Sequence, residues 1–229
     1  MRFEEDINDN NSVFKRINRV FEYLPLAAVV ANKIFCVHSG IGGTLKSIDE
    51  IKAIKRPLEI NYDGSTKEQK IVLDLLWSDP VLNDSENSNR INENRDMIAS
   101  GHIVRYGVDR IRQFMSDNKM QVMIRSHECV MDGVEKFGNT NLYTVFSCTE
   151  YGGKYSNKAA LLLVKKNRLE VVSKWIDCIP DSTFWFSLQS LNKKPAQIDN
   201  NTQNQKKSGN EEDSLRNRPI TPPRRMNKK

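Results

Sequence analysis

Two short, largely apolar runs, Ile34-Phe-Cys-Val37 and Gln121-Val-Met-Ile124, each lead within three residues into a histidine followed by turn-forming or small residues. The first delivers His38 ahead of Ser39 and Gly40, and the second delivers His127 through Arg125 and Ser126. Runs of this length read as buried strands, and the residues behind them end the strand and admit a close neighbour. A fold that buries both runs therefore carries two of its three histidines to strand ends.

The segments between these runs carry the helical period. Ser12 is an N-cap for a helix with Phe14, Ile17, Val20, Phe21 and Leu24 on one face, ended by Pro25. Ser47-Ile-Asp-Glu50 has the form of a capping box and opens a helix that must stop before Pro57. Lys67 to Trp77 reads as a helix running into a turn at Ser78-Asp79-Pro80, and Gly107 to Asn118 as one with Val108, Ile111 and Phe114 facing in. Strands follow over Asn141 to Phe146, then a hairpin of Ala159 to Val164 and Leu169 to Ile176 joined at Lys166-Asn-Arg168 that closes the sheet. Alternating strand and helix gives an α/β class, a layered arrangement of sheet and flanking helices. Val81 to Ser100 has no period and reads as a long surface loop, a place where function concentrates.

Charge separates the chain into two regions. Residues 193–229 hold ten Lys and Arg against four acids, which accounts for the whole formal net charge of +6. Residues 1–192 are thus balanced, with 25 of each sign, and show no net basic excess for nucleic acid. The tail has no aromatic residue and too little apolar content to offset the entropy of ordering, so residues 1–192 are expected to fold and 193–229 to be a disordered basic tail. Within it, Thr221 before Pro222 is a proline-directed phosphorylation candidate.

Cys36, Cys129, Cys148 and Cys178 have no CxxC spacing and read as buried, reduced thiols. No run approaches the roughly 18 apolar residues a membrane span needs, and the N-terminus lacks a signal-peptide core, so the expected location is cytoplasmic or nuclear.

The candidate site residues each allow two readings. His38 and His127 are metal-ligating imidazoles or structural histidines, and spacing alone favours the second, since no local HExxH-type motif joins them. Arg125 shares a strand with His127, and Arg95 lies in the polar loop; either arginine clamps a phosphate or serves an ion pair. Asp79 is a turn acceptor or a site carboxylate, and Tyr151, beside Gly152 and Gly153, is a phosphate contact or a capping aromatic.

Five ordered motifs carry a family resemblance: Leu24-Pro-Leu-Ala-Ala-Val29, Ile34-Phe-Cys-Val-His38-Ser-Gly-Ile41, Leu75-Leu-Trp-Ser-Asp-Pro80, Ile124-Arg-Ser-His-Glu-Cys-Val-Met-Asp-Gly133 and Val145-Phe-Ser-Cys-Thr-Glu-Tyr-Gly152. From about Ser12 to Ile176 the chain resembles the C-terminal half of a serine/threonine protein phosphatase of the calcineurin-like metallophosphoesterase superfamily. Gly40-Ile-Gly-Gly43, Glu50 to Pro57 and Arg218-Pro-Ile-Thr-Pro-Pro-Arg224 are similar to the Kelch-repeat branch.

The resemblance implies hydrolysis of phosphoserine and phosphothreonine in proteins at two divalent metal ions of the Mn, Fe or Zn type, held about 4 Å apart. It places His38 and His127 as ligands of one metal, Arg95 on the phosphate oxygens, Tyr151 along the site and Asp79 as the acid of the Trp-Ser-Asp-Pro turn. The implied partners are phosphoprotein substrates and regulatory proteins, with neither nucleic acid nor membrane.

The chain departs from the pattern at Ser39, where a glycine is usual, at Asp96 after Arg95, and at Glu150 and Gly152 around Tyr151. The family's Gly-Asp-x-His-Gly, Gly-Asp-x-Val-Asp-Arg-Gly and Gly-Asn-His-Glu motifs are not among these residues. The expectation is an incomplete metallophosphoesterase fold, a layered β-sandwich with flanking helices, inactive and poorly stable alone: a fragment of an enzyme or, alternatively, a noncatalytic pseudo-phosphatase that binds proteins.

Overall fold

A computed structural model describes residues 9–83, 88, 90–96, 98, 100–165 and 170–176. The expected tail, the hairpin turn at 166–168 and Cys178 lie outside the described residues.

Strands β1 (Ala27–Val30), β2 (Ile34–Val37), β6 (Val122–Arg125), β7 (Val134–Phe137) and β8 (Leu142–Val145) form one sheet in the order β1-β2-β6-β8-β7. Its centre, β2-β6-β8, is parallel, with Phe35 opposite Met123 and Ile124 opposite Tyr143. Parallel strands are covered on both faces, which is why β2 and β6 read as near-continuous apolar runs. The antiparallel β1 and β7 close the two sides.

Helices α2 (Ile48–Ala53), α3 (Lys67–Trp77) and α4 (Val108–Asp117) start where local chemistry dictates. The Ser47–Glu50 capping box forms as expected, and α3 carries a second one between Thr66 and Gln69 that satisfies two more orphan amides. The core gathers Phe35, Ile41, Leu45, Ile71, Leu75, Ile111, Phe114 and Met123, with the Phe35 and Phe114 rings 5.1 Å apart. Among the described residues, no helix is long and apolar enough to cross a membrane.

Four expectations change. The turn at Ser78-Asp79-Pro80 is a strand, β3 (Asp79–Pro80), because its backbone pairs in parallel with β5 (Val104–Tyr106). The loop from Val81 to Ser100 is partly ordered by pairing: β4 (Arg90–Ile91) lies antiparallel to β5, and Asn92 and Asp96 are buried. Asp96 accepts from the Ser100 and Gly101 amides and the Ser100 hydroxyl, tying the end of that segment down.

The hairpin of β9 (Ala159–Lys165) and β10 (Glu170–Ile176) forms, but as its own two-stranded sheet. It meets the larger sheet where the Ala160 amide donates to the Phe146 carbonyl (2.8 Å). Free thiols are present, with Cys129 buried but Cys148 exposed and Cys36 half-buried, since the residues around Cys148 are not covered.

Helix α1 (Val13–Phe21) starts at the Ser12 cap, whose hydroxyl accepts from the Lys15 amide (3.2 Å). Its apolar face does not turn into a core: Phe14, Ile17, Val20, Phe21 and Leu24 are between 47% and 59% exposed. The periodicity is real, yet none of the helix's residues is buried. Leu161, Leu163, Trp175 and Ile176 of the hairpin are exposed in the same way.

Gly40 shows what the first histidine run requires behind it. A Cβ there would lie 2.1 Å from the Tyr106 ring and 2.5 Å from the Ser78 carbonyl oxygen. Gly40→Ala is therefore expected to cost about 1–3 kcal/mol, as overpacking does, read as a drop in the urea midpoint.

Candidate functional site

The parallel pairing of β2 and β6 brings the two histidine runs side by side, so their ends lie at one sheet edge. The Ser126 amide donates to the His38 carbonyl (3.0 Å), carrying the contact past the end of β6. His127 then adopts φ +68°, a left-handed conformation that is uncommon for a side chain of this kind and that local context has to hold. The result is His127 Nδ1 3.0 Å from His38 Nε2, one ring donating to the other in a direction set by the tautomer. The rings meet edge-on, and Trp77 stands edge-on to His127 at 5.7 Å.

Beneath the histidines lies a buried ionic hub. Arg125 is fully enclosed and donates from Nη2 to Asp79 Oδ1 (2.6 Å), from Nη1 to Glu128 Oε2 (2.7 Å) and Thr144 Oγ1 (3.3 Å), and from Nε to the Ser39 carbonyl. Asp79 accepts at Oδ2 from Asn92 Nδ2 (2.9 Å) and Arg95 Nε (3.1 Å), and its Oδ1 lies 4.0 Å from His127 Nε2. Burial opposes charge on Asp79, but the Arg125 and Arg95 guanidiniums hold its carboxyl below the usual range. Charges this deeply buried persist only because each is paired and hydrogen-bonded.

The same surroundings keep the histidines neutral. Burial of the His127 ring pushes its pKa down to about 3; Asp79 opposes the fall, and Arg95 and Arg125 add to it. His38 shifts the same way, through partial burial and Arg125. Neutral imidazoles keep a lone pair for a metal at physiological pH.

Three buried polar atoms in this cluster have no hydrogen-bond partner: His127 Nε2, Arg95 Nη2 and Asn92 Oδ1. Buried polar atoms are nearly always satisfied, so three orphans at one place mark a position built for something else. An electron-pair donor at His127 and a cationic donor at Arg95 suit a metal beside an anion. Two converging imidazoles fit as part of a metal's coordination shell. They do not complete one, since no group of three or more His, Cys, Asp or Glu side chains is arranged to hold a metal among the described residues.

The structure thus brings His38, His127, Asp79 and Arg95 together. Tyr151 is placed apart in its contacts: its ring packs edge-on to Phe146 at 5.0 Å, and its amide donates to Asn157 Oδ1 (2.9 Å). Asp79 is a hub beneath the site, and not a turn acceptor. Arg125 serves a buried ion pair, the second of its two readings. Asn92, Trp77 and Glu128 were not singled out from the sequence. Trp77, in the Leu75 to Pro80 motif, and Glu128, next to His127, lay inside motifs that drew attention to them; Asn92 did not.

Asp74 lies one turn of α3 before Ser78. Burial pushes its carboxyl up to about 7, against hydrogen bonds from the Thr44 amide and Ser78 hydroxyl, a bond from the Leu45 amide and the charge of Arg110. A carboxyl that binds its proton more tightly when folded stabilises the fold most at low pH, and that contribution is lost as pH rises from about 4 through 7. The urea midpoint of the wild type is expected to fall relative to that of Asp74→Asn across this window.

Comparison with known proteins agrees with this geometry. Residues 1–131 match the family described as calcineurin-like phosphoesterase. Over 169 residues the chain is 42% identical to serine/threonine-protein phosphatase BSL2 of Arabidopsis thaliana, a match covering 73% of this chain and 15% of that protein. A solved protein serine/threonine phosphatase from Saccharomyces cerevisiae, with similarity to human phosphatase PP5, shares the fold at TM-score 0.57 and 24% identity, over 75% of this chain and 55% of that one. The chain therefore spans well under two thirds of either relative's length. With residues 1–131 matching the family and the two histidine runs paired at one sheet edge, the chain belongs to the calcineurin-like phosphoesterase family.

Proposed function

We propose that this chain supplies part of a metal-dependent site that hydrolyses phosphoserine and phosphothreonine esters in proteins. The observation that carries the reading is the cluster of orphaned atoms, with His127 Nε2 and Arg95 Nη2 unpaired above one buried carboxylate. His38 and His127 would hold a divalent metal as neutral imidazoles, and a metal bound there would supply Lewis-acid stabilisation of phosphoryl charge and a more acidic water. Arg95 binds phosphate oxygens through Nη2 while Asp79 holds its Nε, so the guanidinium is oriented before substrate arrives. Asp79 acts through Arg95 and His127 without touching substrate.

The remaining metal ligands come from outside these 229 residues, on the three family motifs this sequence lacks. The proposal extends to a pair of metals such as manganese, to phosphoprotein substrates and regulatory proteins, to the Kelch-repeat branch and to a cytoplasmic or nuclear location. A second reading, a noncatalytic protein-binding product, draws on the incomplete donor set and on the exposed apolar faces of α1 and the β9–β10 hairpin.

The deciding experiment assays a phosphopeptide with Mn²⁺ and either the chain alone or the chain co-expressed with a polypeptide bearing the three motifs. Turnover only in the second case supports the shared site. Turnover by the chain alone would overturn it, and none in either case selects the binding reading.

A further inference from the structure

Ser39, which stands where the resembling family usually has glycine, is buried and uses every polar group it has. Its amide donates to the Leu75 carbonyl (3.0 Å) and its hydroxyl to the Ser78 carbonyl (2.7 Å). Its own carbonyl accepts from the Tyr106 hydroxyl (3.1 Å) and from Arg125 Nε. A glycine could make all of these bonds except the one from the hydroxyl. That bond joins the residue after His38 to the residue before Asp79.

Ser78 is in turn held from the other side. Its hydroxyl donates to Asp74 Oδ1 (3.1 Å) and its amide to the Asp74 carbonyl (3.2 Å). Asp74 Oδ2 accepts from the Thr44 amide (2.9 Å), so the same carboxyl grips the loop that leaves Gly40. Gly42, at φ +42°, lets that loop come so near that a Cβ would lie 1.7 Å from Asp74 Oδ1. Arg110 fastens the loop's outer side, donating from Nε to the Gly42 carbonyl (2.8 Å) and from Nη2 to the Leu45 carbonyl.

We propose that Ser39, Ser78 and Asp74 form a buried brace whose role is positional: it fixes the end of β2, and with it His38, against the segment that carries Asp79. A packing role alone would need only volume at these positions. The brace instead spends three polar side chains, all buried: Ser39 and Asp74 bond across to the other segment, and Ser78 holds Asp74 in place within its own. Removing the Ser39 hydroxyl releases the strand end on the side facing Ser78 and leaves His38 held by backbone bonds and the Arg125 and Tyr106 contacts on the Ser39 carbonyl. The brace rests on the reading of His38 and His127 as one site.

The test uses the full chain and nuclear Overhauser contacts, which need neither metal nor phosphate and so can fail or succeed apart from the phosphatase reading. The His38–His127 ring contact reports the site, and the Phe35–Phe114 ring contact reports the core. Ser39→Gly, Ser78→Ala and Asp74→Ala are expected to lose at least half of the first contact while keeping the second. Asp74→Asn, which can still accept from Thr44 and donate to the Ser78 hydroxyl, is expected to keep both. An unchanged His38–His127 contact in Ser39→Gly and Ser78→Ala would overturn the brace. So would joint loss of both contacts in those two mild variants, because it would show that the three residues serve packing in general.

Discussion

Arg125→Ala is expected to unfold this chain or bring it to the edge of unfolding. The substitution strands Asp79 and Glu128 in a site where Arg125 is wholly enclosed and both carboxylates are nearly so. Removing one partner of a buried ion pair costs about 3–5 kcal/mol, because the remaining charge stays dehydrated and unpaired. Typical domains have only about 5–15 kcal/mol in total. Arg125→Lys is not expected to rescue it: one ammonium cannot reach Asp79, Glu128, Thr144 and the Ser39 carbonyl in the planar fork that guanidinium provides. Urea titration followed by circular dichroism gives the answer, and a loss below about 1 kcal/mol for the alanine variant would refute the hub described above.

Arg95→Ala should do the opposite, with a smaller effect on folding and a large one on chemistry. Its guanidinium is on the rim of the hub with one N–H bonded to Asp79 and Nη2 unpaired, while Asp79 keeps Arg125 and Asn92. Stability is expected to fall by about 1–3 kcal/mol, because Arg95 is largely buried while Asp79 keeps Arg125 and Asn92. If the proposed shared site forms with a polypeptide bearing the three further motifs, kcat/KM on a phosphopeptide is expected to drop about 100- to 1000-fold, the scale of losing one oriented donor to a developing anion. Arg95→Lys should recover part of that loss, since the charge returns without the fork. An Arg95→Ala enzyme with unchanged kcat/KM would remove this residue from the phosphate site.

Much of this arrangement was legible before any coordinates, for reasons that differ from element to element. The capping box at Ser47 was readable because its partners are three residues apart, and α4 because a 3.6-residue period needs only local sequence. The strand ends at His38 and His127 were readable because apolar runs stop where turn residues begin. Asp79 was misassigned to a turn because the Ser-Asp-Pro pattern has strong local preferences, which pairing with Arg105 and Tyr106 overrode. What the apolar face of α1 meets was not legible, because periodicity identifies an apolar stripe without specifying what will cover it.

Sequence alone thus determined what is carried by neighbours along the chain: the helix starts, the strand runs, the charge balance of residues 1–192, and the five motifs that name the family. Spacing by itself left open whether two histidines 89 residues apart lie together, and only the family resemblance implied that they share a metal. Only the tertiary structure shows the two rings side by side, because the parallel register of β2 on β6 sets their ring nitrogens 3.0 Å apart. It also decided which arginine is structural. Arg125 is enclosed with its charges paired, whereas Arg95 keeps a nitrogen unsatisfied, a difference made by burial and by partners far apart in sequence.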